Sequence, residues 1–104
     1  MKIYSINYSF DNGEDYDLHL CDNGIINYYA TKELAIEEFN KIDPQSILDE
    51  YTCWMHYTNI EDYTLDAKLN DYGLPEHYYE VEDEYEDCYF DYEVVEIDVV
   101  EDNH

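Results

Sequence analysis

The chain contains no arginine and only four lysines, Lys2, Lys32, Lys41 and Lys68, against 28 aspartates and glutamates, for a formal charge of −24. A field of that sign repels nucleic acid and anionic lipid, which excludes direct DNA, RNA or membrane-surface binding as the main role. The three cysteines, Cys21, Cys53 and Cys88, are odd in number, far apart and without metal-ligand spacing. Neither a disulfide framework nor a structural zinc site is expected from them, and a reducing cytoplasm fits. Three glycines are too few for a Gly-rich phosphate loop, and no nucleophile elbow or HExxH motif occurs. No stretch approaches the roughly 18 apolar residues of a membrane span, and Met1–Phe10 lacks the apolar core of a secretory leader. We therefore expect neither a signal peptide nor a transmembrane segment.

What the chain does have is apolar content. Hydrophobic residues make up 45% of the 104 residues, which separates it from acidic disordered tails, whose few apolar groups cannot offset the entropy of ordering. That length supports one domain, residues 1–104, around one core. Tyrosine is the main aromatic, with 14 copies beside three phenylalanines and Trp54. It buries a ring while presenting a hydroxyl, so it serves cores and interfaces alike.

Periodicity predicts an α+β fold: an antiparallel sheet, formed by an N-terminal meander and C-terminal acidic strands, packed against two or three helices. Tyr4, Ile6, Tyr8 and Phe10 alternate with Ser5, Asn7 and Ser9, the period of a half-buried strand. An Asn12-Gly13 turn, a second run Tyr16–Leu20, a turn at Asp22-Asn23-Gly24 and a third run Ile25–Ala30 complete a predicted three-strand meander. Thr31 is a good N-cap for a helix carrying Leu34, Ala35, Phe39 and Ile42, which Asp43-Pro44 ends and follows with another. In that second helix Ile47, Leu48, Tyr51, Trp54 and Met55 share one stripe, opposite Asp49, Glu50 and His56. The segment 59–73 reads either way, since Leu65, Leu69 and Tyr72 suit a helix whereas Tyr63, Leu65, Ala67 and Leu69 alternate. Its length and the Gly73 and Pro75 stop signals favour a helix. Tyr78–Glu82 and Cys88–Val100 then read as strands joined by an acidic turn, with a bulge or register change at Val94-Val95.

Catalytic constellations are thin. Cys53 and His56 lie three apart on a predicted helix, but no second pair is spaced to complete a zinc site, and His19, His77 and His104 have no partner motif. Neither Asp11–Asp22 nor Asp83–Val94 has the order of a calcium loop. With 28 acids, close carboxylate pairs arise in any fold and do not by themselves indicate acid–base catalysis. The sequence therefore predicts no catalytic residue, no metal and no cofactor.

Arrangement is more informative. From Leu69 onward there are 14 acids and no lysine. In a strand, carboxylates two residues apart share a face at roughly 6.6–6.8 Å, comparable with the spacing of charges along a nucleic-acid strand at about one per 3.4 Å of axis. Glu80, Glu82 and Glu84 form one such row, Asp91 and Glu93 another, and Glu96 and Asp98 a third. Asp83, Glu86 and Asp87 fill the acidic turn. Tyr78, Tyr79, Tyr85, Tyr89 and Tyr92 lie between the acids, where flat rings would stand in for stacked bases. Solubility alone asks for a net charge of magnitude about 2–8, far below that of this chain.

In length, charge and Tyr-rich acidic strands, above all Tyr85-Glu86-Asp87-Cys88-Tyr89-Phe90-Asp91-Tyr92-Glu93, the chain resembles the DNA-mimic inhibitors of phages and mobile elements, the anti-CRISPR and anti-restriction proteins. The resemblance implies a cytoplasmic inhibitor, acting in a bacterial host cell, whose partner is a basic nucleic-acid-binding protein or nuclease complex. It carries over no individual residue; the acidic rows and turn named above, with Tyr85 and Tyr89, are themselves the expected contact residues. Two other readings stay open: an immunity protein that neutralises a nuclease toxin, and an acidic housekeeping or salt-adapted domain.

Overall fold

A computed structural model describes residues 1–11, 21–51, 59–82 and 87–100. Five strands, β1 (Lys2–Asp11), β2 (Cys21–Tyr29), β3 (Thr64–Leu69), β4 (Pro75–Glu82) and β5 (Asp87–Asp98), form one antiparallel sheet in the order β2-β1-β5-β4-β3. Helices α1 (Lys32–Lys41) and α2 (Pro44–Tyr51) follow β2. The expected α+β class is therefore the observed one. Among the described residues, no helix is long and apolar enough to cross a membrane.

The central pair is β1 with β5, from Lys2 opposite Asp98 to Asp11 opposite Tyr89, without a shift in register. Side chains alternate across a strand, so this register divides the sheet into two faces. On one, Ile6, Phe10, Phe90, Tyr92, Val94, Tyr79 and Val81 meet Phe39 and Ala35 of α1 in a buried core. Phe39 touches the rings of Tyr92 and His77, and Phe10 stacks on Phe90 at 5.5 Å. The other face holds the odd-numbered residues of β1 and β5 and the even-numbered residues of β3 and β4.

Local chemistry accounts for the helix ends. The Leu34 amide donates to Thr31 Oγ1 at 3.2 Å, the expected cap, and Lys41 in the last turn pairs with Glu37 and Glu38. Pro44 opens α2, where the Gln45 amide donates to Asp43 Oδ1. Gln45 Oε1 then accepts from the Ile60 amide at 2.8 Å, tying α2 to a single 3-10 turn at Ile60–Asp62.

Three sequence expectations are corrected. Asp22-Asn23-Gly24 is not a turn: it lies inside β2, paired with Phe10, Ser9 and Tyr8 of β1. Gly24 serves the close approach of Tyr8, whose hydroxyl lies 2.6 Å from where a Cβ would stand. The register irregularity falls between Ile6 and Asn7 against β2, where Ile26 is the extra residue, and not at Val94-Val95, which pair regularly with Ser5 and Ile6. Segment 59–73 is not a helix. After the 3-10 turn it becomes β3, paired with β4 from Thr64 opposite Glu80 to Leu69 opposite Pro75. Gly73, at φ 73°, closes the β3–β4 turn instead of capping a helix. The Asn12-Gly13 turn, the Tyr16–Leu20 run, Cys53, Trp54, Met55 and His56 lie outside the described residues.

Asn70 organises that turn. Its Oδ1 accepts from the amides of Tyr72 and Leu74, both at 3.0 Å, while its Nδ2 donates to Glu93 Oε2 at 2.9 Å and to the Val94 carbonyl at 2.7 Å. One side chain thus locks the turn and joins it to β5. Asn70→Ala should destabilise the fold by roughly 2–3 kcal/mol, since it strands several partly buried partners. Gly73→Ala, whose Cβ meets nothing within 4 Å, should cost only about 1 kcal/mol of backbone strain. Urea unfolding of both variants checks the order.

Candidate binding face

Both helices lie on one side of the sheet, so its other face has no layer over it among the described residues. Register and alternation determine what that face displays. From β4 come Glu76, Tyr78 and Glu80; from β5 Tyr89, Asp91 and Glu93; from β1 Asn7, Ser9 and Asp11, while Ser5 on the same side is fully buried and its hydroxyl donates to Asn7 Oδ1. Edge strand β3 adds Thr64, Asp66 and Lys68. Lys68 is the one cation of this face among the described residues, and its ammonium lies 5.0 Å from the centroid of the Tyr78 ring.

Like charges are forced together. Glu76 stands directly opposite Glu93, and Asp91, one step along β5, shares a hydrogen bond with Glu76. Asp91 is half-buried; burial first, then that hydrogen bond and the charges of Glu76 and Glu93, push its carboxyl up to about 7 against the opposing pull of Lys68. Glu93 is also raised, by burial and by the charges of Glu76 and Asp71, although the Asn70 amide holds it back. Burial, followed by the charges of Glu80 and its neighbours, pushes the Tyr78 phenol up to about 12.

A trough runs along β1, whose short side chains leave room between longer neighbours. One depression, of about 310 Å³, lies over Ser9, Asp11, Tyr78, Tyr89 and Asp91. A second, of about 550 Å³, continues over Asn7 and Ser9 towards Asn23 and Ile25 of β2, with Asp91 and Glu93 on its wall. Ser9 and Asp91 line both. The rings of Tyr78 and Tyr89 form a continuous wall, with centroids 5.9 Å apart and planes inclined by 33°.

The residues singled out from the sequence divide between the two faces. Glu80, Tyr89, Asp91 and Glu93 come together on the open face, and Glu82 pairs with Asp87 where β4 and β5 end. Glu96 and Asp98 do not join them. Their parity places them on the helix side of β5, where Glu96 makes a 3.0 Å ion pair with Lys2. Tyr79 and Tyr92, expected to be stacking surfaces, are core residues at 6% and 2% exposure. Asp83, Glu84, Tyr85 and Glu86 lie outside the described residues. Reading along single strands missed Glu76, Asp66 and Asp11, because only cross-strand pairing brings Glu76 and Asp11 near Asp91 and sets Asp66 beyond Tyr78 on the same face. The alternation signal for β3 was present in Tyr63, Leu65, Ala67 and Leu69.

No group of three or more His, Cys, Asp or Glu side chains is placed to hold a metal ion among the described residues. His77 Nδ1 lies 3.2 Å from the Tyr92 hydroxyl, under Phe39, and burial lowers its pKa.

The folded pKa of Asp91 is raised, so the native state holds a proton that the unfolded state has already released between about pH 4 and pH 7. Stability is therefore highest on the acid side, declines as pH rises through that window and levels off above it. The melting temperature should fall by about 5 °C or more between about pH 5 and pH 8, on the order of 1–2 kcal/mol after allowing for solvent screening. Asp91→Asn should remove most of that slope, as thermal melts across the range would show.

Comparison of the chain with protein-family models, with curated proteins and with solved structures finds no match.

Proposed function

We propose that the open face binds the basic nucleic-acid-binding cleft of another protein by standing in for DNA or RNA phosphates, and that the chain is a non-catalytic inhibitor of a host defence nuclease. An anti-CRISPR role comes first, because guide and target channels of such effectors are lined with lysine and arginine; anti-restriction comes next. The bacterial cytoplasm is where such a partner is met. One observation carries the reading: among the described residues, on a sheet face that none of them covers with a further layer, carboxylates of β1, β3, β4 and β5 converge with one neighbouring cation.

The physics favours a basic partner. Carboxylates along one strand repeat at about 6.6–6.8 Å and neighbouring strands lie about 4.7–4.9 Å apart, so charge is displayed in two dimensions on a stiff scaffold. A surface of this kind steers a cationic partner by long-range attraction, and the Tyr78–Tyr89 wall adds aromatic contact that salt does not screen. A role in solubility or salt adaptation calls for fully hydrated, ionised carboxylates. Asp91 is half-buried with its carboxyl pushed up to about 7, so it contributes poorly to either and gains its charge where a cation comes against it.

Competition is the test. Added to a CRISPR effector or restriction nuclease of the host, the protein should raise the apparent Kd for nucleic acid, and its own affinity should fall as salt rises. Glu76→Lys, Glu80→Lys and Glu93→Lys together should reduce inhibition at least about 100-fold, whereas Glu33→Lys with Glu37→Lys on α1 should change it less than about threefold. A stable ternary complex with neither ligand weakened, or equal losses from the two sets, would overturn mimicry by this face.

A further inference from the structure

We propose that the depression over Asp91, walled by Tyr78 and Tyr89 and closed by Ser9 and Asp11, is the seat of one guanidinium group, a single arginine of the basic partner. This rests on the open face being a surface for a basic protein, and it specifies the cation that face selects.

Size comes first. At about 310 Å³ this end of the trough has room for one side chain, and it alone is lined by Tyr78 and Tyr89, which the larger depression beyond Ser9 lacks. Its shape follows from register. Asp91 is flanked across the strands by Tyr78 on one side and by Ser9 on the other, and Tyr89 is flanked by Glu80 and Asp11. The short Ser9 leaves space above Asp91, with the Tyr78 ring on its β4 side and the Tyr89 ring beside it along β5.

The lining offers two chemistries: the aromatic rings of Tyr78 and Tyr89, and the carboxylates of Asp91 and Asp11. Guanidinium matches both, because its plane stacks on phenol rings while its N–H edge forks onto a carboxylate. A lysine ammonium is a compact, strongly hydrated point charge and would use one chemistry at a time. The Tyr78 ring already attracts a cation within this chain, as the position of Lys68 over it shows.

The charge state of the floor adds a signature. Asp91 faces Glu76 and Tyr78 from β4, Glu93 and Tyr89 along β5, Ser9 and Asp11 from β1, and Lys68 from β3. Before the partner arrives, this surrounding holds the carboxyl near about 7. A guanidinium stays charged at every accessible pH, so its arrival lowers the Asp91 pKa and expels a proton. Affinity for arginine should then rise as pH rises through neutrality.

The probes are the blocked tripeptides Ac-Gly-Arg-Gly-NH2 and Ac-Gly-Lys-Gly-NH2, titrated into the full chain and followed by two-dimensional NMR at low salt. The arginine peptide should shift the resonances of Tyr78, Tyr89 and Asp91 saturably and bind at least about threefold more tightly than the lysine peptide. Between about pH 6 and pH 8 its affinity should rise by up to roughly tenfold, and Asp91→Asn should abolish that rise. Tyr89→Leu should weaken the arginine peptide while sparing the pH dependence. Equal binding of the two peptides, shifts spread over the whole acidic surface, or pH-independent binding by the unmodified chain would overturn the proposal without any variant having to fold. The outcome separates from that of mimicry: arginine selectivity without competition against nucleic acid keeps the seat and removes the mimic. Competition without arginine selectivity keeps the mimic and removes the seat.

Discussion

The pairing of β1 with β5 is the constraint on which the rest of this structure depends. It brings the first strand of the chain onto the last, through an unbroken register from Lys2–Asp98 to Asp11–Tyr89. Closing so long a loop costs entropy, which must be offset by what the pairing buries. Ile6 with Val94 and Phe10 with Phe90 bury that surface against α1. A slip of one residue would exchange the faces, exposing Phe90 and Tyr92 and driving Asp91 and Glu93 under the helix. The acidic face is therefore determined as strongly as the core, because the same alternation writes both.

That determinacy has an electrostatic cost. Glu76 opposite Glu93 is a like-charge pair in direct cross-strand contact, an unfavourable arrangement in any antiparallel sheet. The structure limits the penalty in three ways. Asp91 holds its proton towards neutrality and shares a hydrogen bond with Glu76, Asn70 donates to Glu93, and Lys68 lies nearby over Tyr78. Each device is local, and together they leave an excess of negative charge on the face. An arriving basic surface would relieve that repulsion, so part of the binding free energy in the proposed complex comes from strain already present in the unbound protein.

The helix side of the sheet shows the opposite treatment of acids. Glu96 has Lys2 at 3.0 Å and the Tyr4 hydroxyl at 3.5 Å, and both helix-borne glutamates near Lys41 are paired with it. Of the four lysines, three thus sit on the side of the sheet that carries α1 or within α1 itself, and Lys68 alone is on the open face. The cations are unevenly divided between the faces, although acids occupy both, and the open face keeps one lysine against its carboxylates.

Much of the architecture was legible along the chain. The alternation in β1, the Thr31 cap, the Asp43-Pro44 break and the Tyr- and Val-rich terminal strands each state their element locally, because they depend on a residue and its near neighbours. Three signals misled for one shared reason. Asp22-Asn23-Gly24 has turn composition, yet Gly24 is required by the Tyr8 ring arriving from another strand. Leu65, Leu69 and Tyr72 fit a helix, yet β4 supplies a pairing partner that their own sequence does not reveal. Val94-Val95 resembles a bulge, yet β1 holds both in regular register. By itself the sequence determined the composition of the surface, its overwhelming negative charge and the presence of acidic strands, since charge and periodicity are properties of the chain. Which acids stand together was decided only by tertiary structure. Asp91 acquires Glu76 and Tyr78 from one neighbouring strand and Ser9 and Asp11 from another, and cross-strand register is a relation between distant segments that no single segment encodes.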